Sequence, residues 1–272
     1  MTTDKIHVTK EKETSLLMLY AKAVQSQWQN PILRDPLAEE AIRRIDYDFG
    51  KERWNKIWNK TGSMIVAIRA RNFDLLTTSY LADHPDATVL HLGCGLDTRV
   101  YRVDPPASVN WFDVDYPDVI ELRRKLYPER FGYRLIGTSL EDLHWLDEIP
   151  VDQPALIVAE GVLMYLAEDN VKALLNALTR RFPGGQMVFD AVNSWAVRKN
   201  SNVAGTGASF KWAVDDPQDI KKLVPKLDLI KEFKTPDQVS YSRFPLAVRV
   251  LLRAMDLFPV LRNNWRLLLF RF

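Results

Sequence analysis

Leu90-His91-Leu92-Gly93-Cys94-Gly95-Leu96-Asp97-Thr98-Arg99 sets two glycines, one residue apart, directly behind the apolar run Thr88-Val89-Leu90. Glycine at a strand-to-helix turn reaches backbone conformations that a Cβ disfavours and lets a ligand approach the main chain closely. A bare Gly-x-Gly also occurs in ordinary turns, so its neighbours decide its meaning. Thr98 stands where a dinucleotide fingerprint has its third glycine, which weakens a pyrophosphate-binding reading. Asp115 stands 20 positions beyond Gly95, after the next strand, where a carboxylate can accept both ribose hydroxyls. The pair predicts a nucleoside-containing ligand.

Outward from this turn, short apolar runs alternate with amphipathic segments. Val109–Phe112, Tyr133–Ile136, Ala155–Val158 and Gln186–Phe189 read as strands, and Asp118–Tyr127 and Asp169–Arg181 as helices. Such alternation predicts an α/β, doubly wound, mostly parallel sheet covered on both faces. Leu227–Phe233 and Trp265–Phe270 flank a helical run from about Pro245 to Phe258 and are expected to close the sheet as an antiparallel pair. Upstream, Leu16, Leu19, Tyr20 and Ala23 fall at helix-face spacing, Asp35-Pro36 opens another helix, and Ser63–Leu81 is a third. The division expected is a helical N-terminal extension or lid over 1–83 and a core over 84–272, with a lid-like insertion around 194–225.

Composition narrows the partners. The chain has 272 residues, 47% of them hydrophobic, and its 37 Lys and Arg nearly balance 35 Asp and Glu, leaving +2. No net field draws it to nucleic acid or anionic lipid. One cysteine, Cys94, and four dispersed histidines offer neither a disulfide nor a metal-ligand spacing, so no metal is expected. The start lacks a cationic and then apolar signal pattern, and Glu160 interrupts the most apolar stretch, Pro154–Ala167. The expected setting is cytoplasmic, without a membrane span.

That Glu160 belongs to Ala159-Glu160-Gly161-Val162-Leu163-Met164-Tyr165-Leu166, at the carboxyl end of a strand, where open α/β sheets bind ligands. A carboxylate in so apolar a setting needs a partner. That partner is either a structural cation or a ligand's ammonium or sulfonium.

Together with Phe112-Asp113-Val114-Asp115-Tyr116-Pro117, these motifs resemble the leucine carboxyl methyltransferase family, in particular its bacterial branch of tetracenomycin-pathway-type O-methyltransferases. The resemblance runs from about Tyr20 to Asn193. It implies S-adenosyl-L-methionine as methyl donor on a seven-stranded class I methyltransferase sheet. By position it implies that Arg69 holds the donor's carboxylate, that Gly93 and Gly95 line its methionine moiety, and that Asp115 takes the ribose. Ser139 and Leu140 fall where the family has Asp-Leu beside adenine, with Asp142 either a replacement or a turn cap. Glu160 would lie near the donor's amino-acid end, and Lys22 would match a basic residue closing the pocket. Tyr165, Asn193 and Trp195, after strands four and five, are the acceptor-side candidates, Tyr165 and Asn193 for catalysis.

The remaining features take plainer readings: Cys94 and His91 as packed or satisfied side chains, Trp54 and Trp58 as packing, Arg249 and Arg253 as a cationic helix face. The activity expected is an O-methyltransferase forming a methyl ester on a small, polyketide-like carboxylate. The alternatives are phenolic O-methylation, an NAD-dependent oxidoreductase and a non-catalytic S-adenosylmethionine-binding protein.

Overall fold

The computed structural model describes residues 6–7, 13–49, 60–199, 208–234, 244 and 246–272. Its main sheet has seven strands: β1 Thr88–Leu92, β2 Asn110–Asp115, β3 Tyr133–Gly137, β4 Ala155–Ala159, β5 Gly185–Val192, β6 Asp228–Lys234 and β7 Trp265–Arg271. They lie in the order β3-β2-β1-β4-β5-β7-β6. The first five run parallel, and β7 is antiparallel to both β5 and β6. The antiparallel closure expected from the last two apolar runs is thus present, and each expected strand lies within a few residues of its place.

Central strands of a parallel sheet are covered on both faces, so they read as continuous apolar runs rather than alternating ones. β1 and β4 are buried at every position, and successive side chains part company across the sheet. Leu90, Phe112, Ile157 and Phe189 point into a core shared with Trp145 and Leu174. Val89, Trp111, Leu156 and Val188 meet Phe73, Tyr80 and Leu81 on the other side.

Ahead of the sheet come helices α1 Glu13–Ser26, α2 Pro36–Arg44 and α3 Lys60–Asp83; α4 Arg99–Val103 follows β1, α5 Pro117–Leu126 follows β2, and α6 Glu168–Arg181 lies between β4 and β5. Asp35 caps α2 by accepting the Ala38 N–H at 3.1 Å, with proline next in the first helical turn, the arrangement that relieves unpaired amides at a helix start. α1 packs its Leu16, Leu19 and Ala23 against Ala38 and Ala41 of α2 and Leu122 and Leu126 of α5. This brings the N-terminal helices over the carboxyl ends of β1 and β2. Trp54 and Trp58 lie outside the described residues.

Candidate active site

The turn after β1 takes the shape its glycines allow. Gly93 and Gly95 sit at φ +58° and +51°, where a Cβ would press on the following carbonyl. A Cβ on Gly93 would also come within 2.4 Å of Val162 Cγ2, in the turn after β4. Gly93 therefore lets the two turns touch. Cys94 between them is buried, and burial pushes its thiol well above the ordinary range, as expected of a packed side chain.

Asp115 closes β2 beside this turn. Its Oδ2 accepts the Gly95 N–H at 2.7 Å and its Oδ1 the Tyr116 N–H at 2.7 Å. Burial raises its carboxyl pKa against the opposing pull of those amides. Each oxygen keeps a further lone pair, so the carboxylate can still take two hydroxyls. Ser139 lies just beyond β3, where its Oγ accepts the Glu141 N–H, and Leu140 is buried next to it. Asp142 caps the short 3-10 turn Leu143–Glu148 by accepting the His144 N–H at 3.1 Å, the turn-capping alternative raised for it above.

Between these turns and α1 lies a buried ionic cluster. Lys22 pairs with Asp97; Arg99 reaches Asp74 at 2.9 Å, Asp97 at 3.4 Å and Glu160; Arg102 reaches Asp74, Asp97 and Asp35 at 2.7, 2.8 and 3.0 Å. Burial pushes Glu160 up, but Lys22, Arg69 and Arg99 outweigh it and hold the carboxyl at about 2. Burial acts likewise on Asp97, and Arg102, Lys22 and Arg99 keep it well below the usual range. His91 is fixed as well. Arg99 can only donate to its Nε2, at 2.9 Å, so Nδ1 carries the hydrogen and donates to Asp113 at 3.0 Å. The ring is a satisfied, neutral spacer.

Arg69, on α3, is held unevenly. Its Nε donates to Glu160 at 2.8 Å, whereas Nη1 reaches Asp190 only at 3.5 Å and Nη2 meets the Met18 sulfur at 3.4 Å. The guanidinium also lies over the Trp265 ring, 5.1 Å from its centroid. Two terminal nitrogens with long or weak acceptors can take a carboxylate in the two-pronged geometry that suits arginine. Asp74, five residues further along α3, binds Arg99 and Arg102.

On the far side, Tyr165 packs against Phe210 at 5.3 Å and Phe210 against Trp265 at 6.4 Å. Burial pushes the Tyr165 hydroxyl up to about 12. Asn193 is committed elsewhere: its Oδ1 accepts the Ala196 N–H at 2.9 Å and its Nδ2 donates to the Val260 carbonyl at 2.8 Å. Trp195 follows it, half-buried, on the helix Ser194–Lys199.

Three residues that sequence reading passed over, Ser15, Met18 and Asp190, belong here. Ser15, Met18 and Lys22 lie at one-face spacing on α1. Ser15 Oγ is 3.1 Å from where a Cβ of Gly95 would stand, and Met18 and Lys22 make the contacts given above. Asp190, in the middle of the apolar strand β5, is fully buried. Its signal was an acid inside a run with no exposed face. Thr98, the residue in place of the third glycine, donates its hydroxyl to the Asp35 carboxylate at 2.6 and 2.7 Å. That contact sets Asp35, at the start of α2, against the start of α4, the helix end at which a dinucleotide's pyrophosphate would bind.

A glycine turn after β1, an acid ending β2 and an open strand order with β7 reversed define the class I S-adenosylmethionine-dependent methyltransferases. A model of the leucine carboxyl methyltransferase family matches residues 15–179. The tetracenomycin polyketide synthesis O-methyltransferase TcmP of Streptomyces glaucescens is 42% identical over 271 residues, 98% of each chain. The S-adenosyl-L-methionine-dependent methyltransferase dpfgK of Gibberella zeae is 31% identical, covering 94% of this chain and 93% of its own. Among solved structures, a DUF574 family protein from Streptomyces avermitilis superposes with a TM-score of 0.58 at 12% identity, over 97% of this chain and 99% of that one, a likeness of fold alone. The chain belongs to the leucine carboxyl methyltransferase family and is an S-adenosylmethionine-dependent methyltransferase. The oxidoreductase and the non-catalytic alternatives fall with that membership.

Proposed function

We propose that the protein transfers the donor's methyl group to the carboxylate of a small, polyketide-like molecule, forming a methyl ester. The observation that carries the donor side is the uneven hold on Arg69: Nε is anchored on Glu160 while Nη1 and Nη2 keep only contacts of 3.5 and 3.4 Å. Those two nitrogens bind the donor's carboxylate, Glu160 faces its ammonium, Asp115 receives the ribose hydroxyls, and Ser139 and Leu140 border the adenine. Lys22 closes the pocket from α1, within a cover formed by residues 1–83. Charge supports the fit. Among the described residues four cations, Lys22, Arg69, Arg99 and Arg102, pair with five carboxylates, Asp35, Asp74, Asp97, Glu160 and Asp190, and Asp115 adds a sixth acid, a balance that favours a donor of net positive charge.

When bound, the donor supplies a methyl carbon activated by its sulfonium, so the chain's task is alignment and the exclusion of water. Tyr165, neutral at ordinary pH with its hydroxyl at about 12, is a poor base, and Asn193 has both amide groups engaged. An acceptor that arrives already ionised needs no proton removed, and a carboxylic acid, with a pKa of about 4, is ionised at neutral pH. The polyketide class is supported by the likeness to TcmP, an O-methyltransferase of polyketide synthesis. Arg249 and Arg253, on the helix Leu246–Asp256, are candidates for a remote acidic group on it. A cytoplasmic setting completes the proposal; among the described residues no helix is long and apolar enough to cross a membrane.

Phenolic O-methylation is the second reading, favoured by Asp190, whose carboxyl burial pushes up to about 6 despite Arg69 and the Gly161 amide. Against it, both Asp190 oxygens already accept hydrogen bonds. Candidate acids and phenols supplied with methyl-labelled donor decide between them. A methyl ester returns the label as methanol after mild alkali, whereas label retained as an alkali-stable ether overturns the carboxylate assignment.

A further inference from the structure

Asp190 projects from β5 with no exposed surface, and three donors from three other elements converge on it. Gly161 N–H, in the turn after β4, donates to Oδ1 at 2.6 Å; the Trp265 indole, at the start of β7, donates to Oδ2 at 3.0 Å; Arg69 Nη1, from α3, approaches Oδ2 at 3.5 Å. A carboxylate stripped of water is strongly destabilising unless such donors replace its hydration, and an apolar side chain on β5 would serve the core better. The three donors are not ordinary core groups. Gly161 adjoins Glu160, Arg69 is the proposed donor anchor, and Trp265 ends the aromatic row Tyr165–Phe210–Trp265.

Arg69 also stacks over Trp265, so one carboxylate fixes both members of that pair. We propose that Asp190 is a positioning residue: it ties Arg69 and Trp265 to the turn after β4, so that the anchor of the donor and the aromatic wall on the acceptor side share one geometry. This rests on the reading of Arg69 given above. It explains why Nη1 is held loosely. The long contact to Asp190 orients the fork without occupying it, and an incoming carboxylate takes up the remaining hydrogen bonds. It also links the two sides of the site, because a shift of Arg69 toward the donor changes what Trp265 meets.

The test is a double-mutant cycle on S-adenosylmethionine affinity, read by calorimetry in the full chain. Asp190→Asn keeps the shape but offers one accepting oxygen and turns an NH2 toward donors. It is expected to weaken binding roughly 10-fold, the scale of a lost hydrogen bond to a charged group. Arg69→Lys is expected to weaken it at least as much, and the double variant no more than Arg69→Lys alone, because Asp190 acts through Arg69. Additive losses, or wild-type affinity in Asp190→Asn beside a weakened Arg69→Lys, overturn the positioning role and leave the donor anchor standing. Wild-type affinity in Arg69→Lys removes the anchor itself, and the proposal with it.

Should Asp190→Asn fail to fold, the wild-type protein carries the test. The 15N-labelled indole resonance of Trp265, identified by its loss in Trp265→Phe, is expected to move when S-adenosylhomocysteine saturates the site. It should stay in place in Arg69→Lys at a ligand concentration that saturates that variant. An unmoved resonance in the wild type overturns the coupling.

Discussion

Gly93 carries a double constraint that its neighbour Gly95 carries only in part. Both need left-handed backbone, worth about 1–2 kcal/mol against any other residue. A Cβ on Gly93 adds an overlap with Val162 at 2.4 Å, whereas on Gly95 it would meet the Ser15 hydroxyl at 3.1 Å. Gly93→Ala is therefore expected to lower the melting temperature more than Gly95→Ala, and pairing it with Val162→Ala should recover part of the difference. Equal losses in the two single variants would show that contact between the turns after β1 and β4 is unimportant. The glycine pair was legible as a motif from its place behind an apolar run. Its contact with Val162 was not, because it joins residues about 70 apart in the chain that only strand pairing brings together.

Elements enter the site through what they share at their ends. The segment joining α1 to α2 and the segment leading from β1 into α4 are sewn together by Asp35, which caps α2, receives the Thr98 hydroxyl and pairs with Arg102 at 3.0 Å. Asp35→Ala loses the cap, about 0.5–2 kcal/mol, and leaves Thr98 without its acceptor. The expected outcome is faster amide exchange across α1 and α2 with little change in β1 and β4; uniform exchange would mean that the N-terminal helices do not depend on this joint. The sequence announced Asp35-Pro36 as a helix start, and the helix is there. That the same acid also binds the core was hidden, since a cap and an ion-pair partner look alike in one dimension. Asp190 was hidden differently. It sits in Gly185–Val192, whose apolar pattern fixes a strand, and an isolated acid in such a strand declares a need for partners without saying which. Strands and helices, decided by periodicity over neighbouring residues, were legible to within a few positions. Buried ion pairs, which depend on approach angles between elements, were not.

At the scale of the molecule, the ionic cluster ties stability to pH. Glu160 and Asp113 are held at about 2, from ordinary values of 4.5 and 3.8, by partners that outweigh burial: Lys22, Arg69 and Arg99 for Glu160, and for Asp113 the Arg123 guanidinium with hydrogen bonds from His91 and Tyr133. Groups lowered in the folded state stabilise it fully above their unfolded values, and that contribution drains away as pH falls through the folded ones. Asp190 works in the opposite sense, since its raised value favours the folded state most below 3.8 and progressively less up to about 6. With three strongly lowered buried carboxyls, Glu160, Asp113 and Asp97, against two raised, Asp190 and Asp115, the melting temperature is expected to fall steeply between about pH 4.5 and 2. Glu160→Gln should flatten that fall, and a melting temperature independent of pH over the range would mean that the cluster does not stabilise the fold.

The same cluster is the heart of the functional account, because it anchors Arg69 through Nε and leaves Nη1 and Nη2 with hydrogen bonds to spare for the donor. The structure of the protein with S-adenosylhomocysteine bound examines this most directly. The account predicts the ligand's carboxylate on Arg69 Nη1 and Nη2 at about 3 Å, with the ribose hydroxyls on Asp115 at hydrogen-bonding distance. A carboxylate bound elsewhere, with Arg69 still divided between Glu160, Asp190 and Met18, would contradict it.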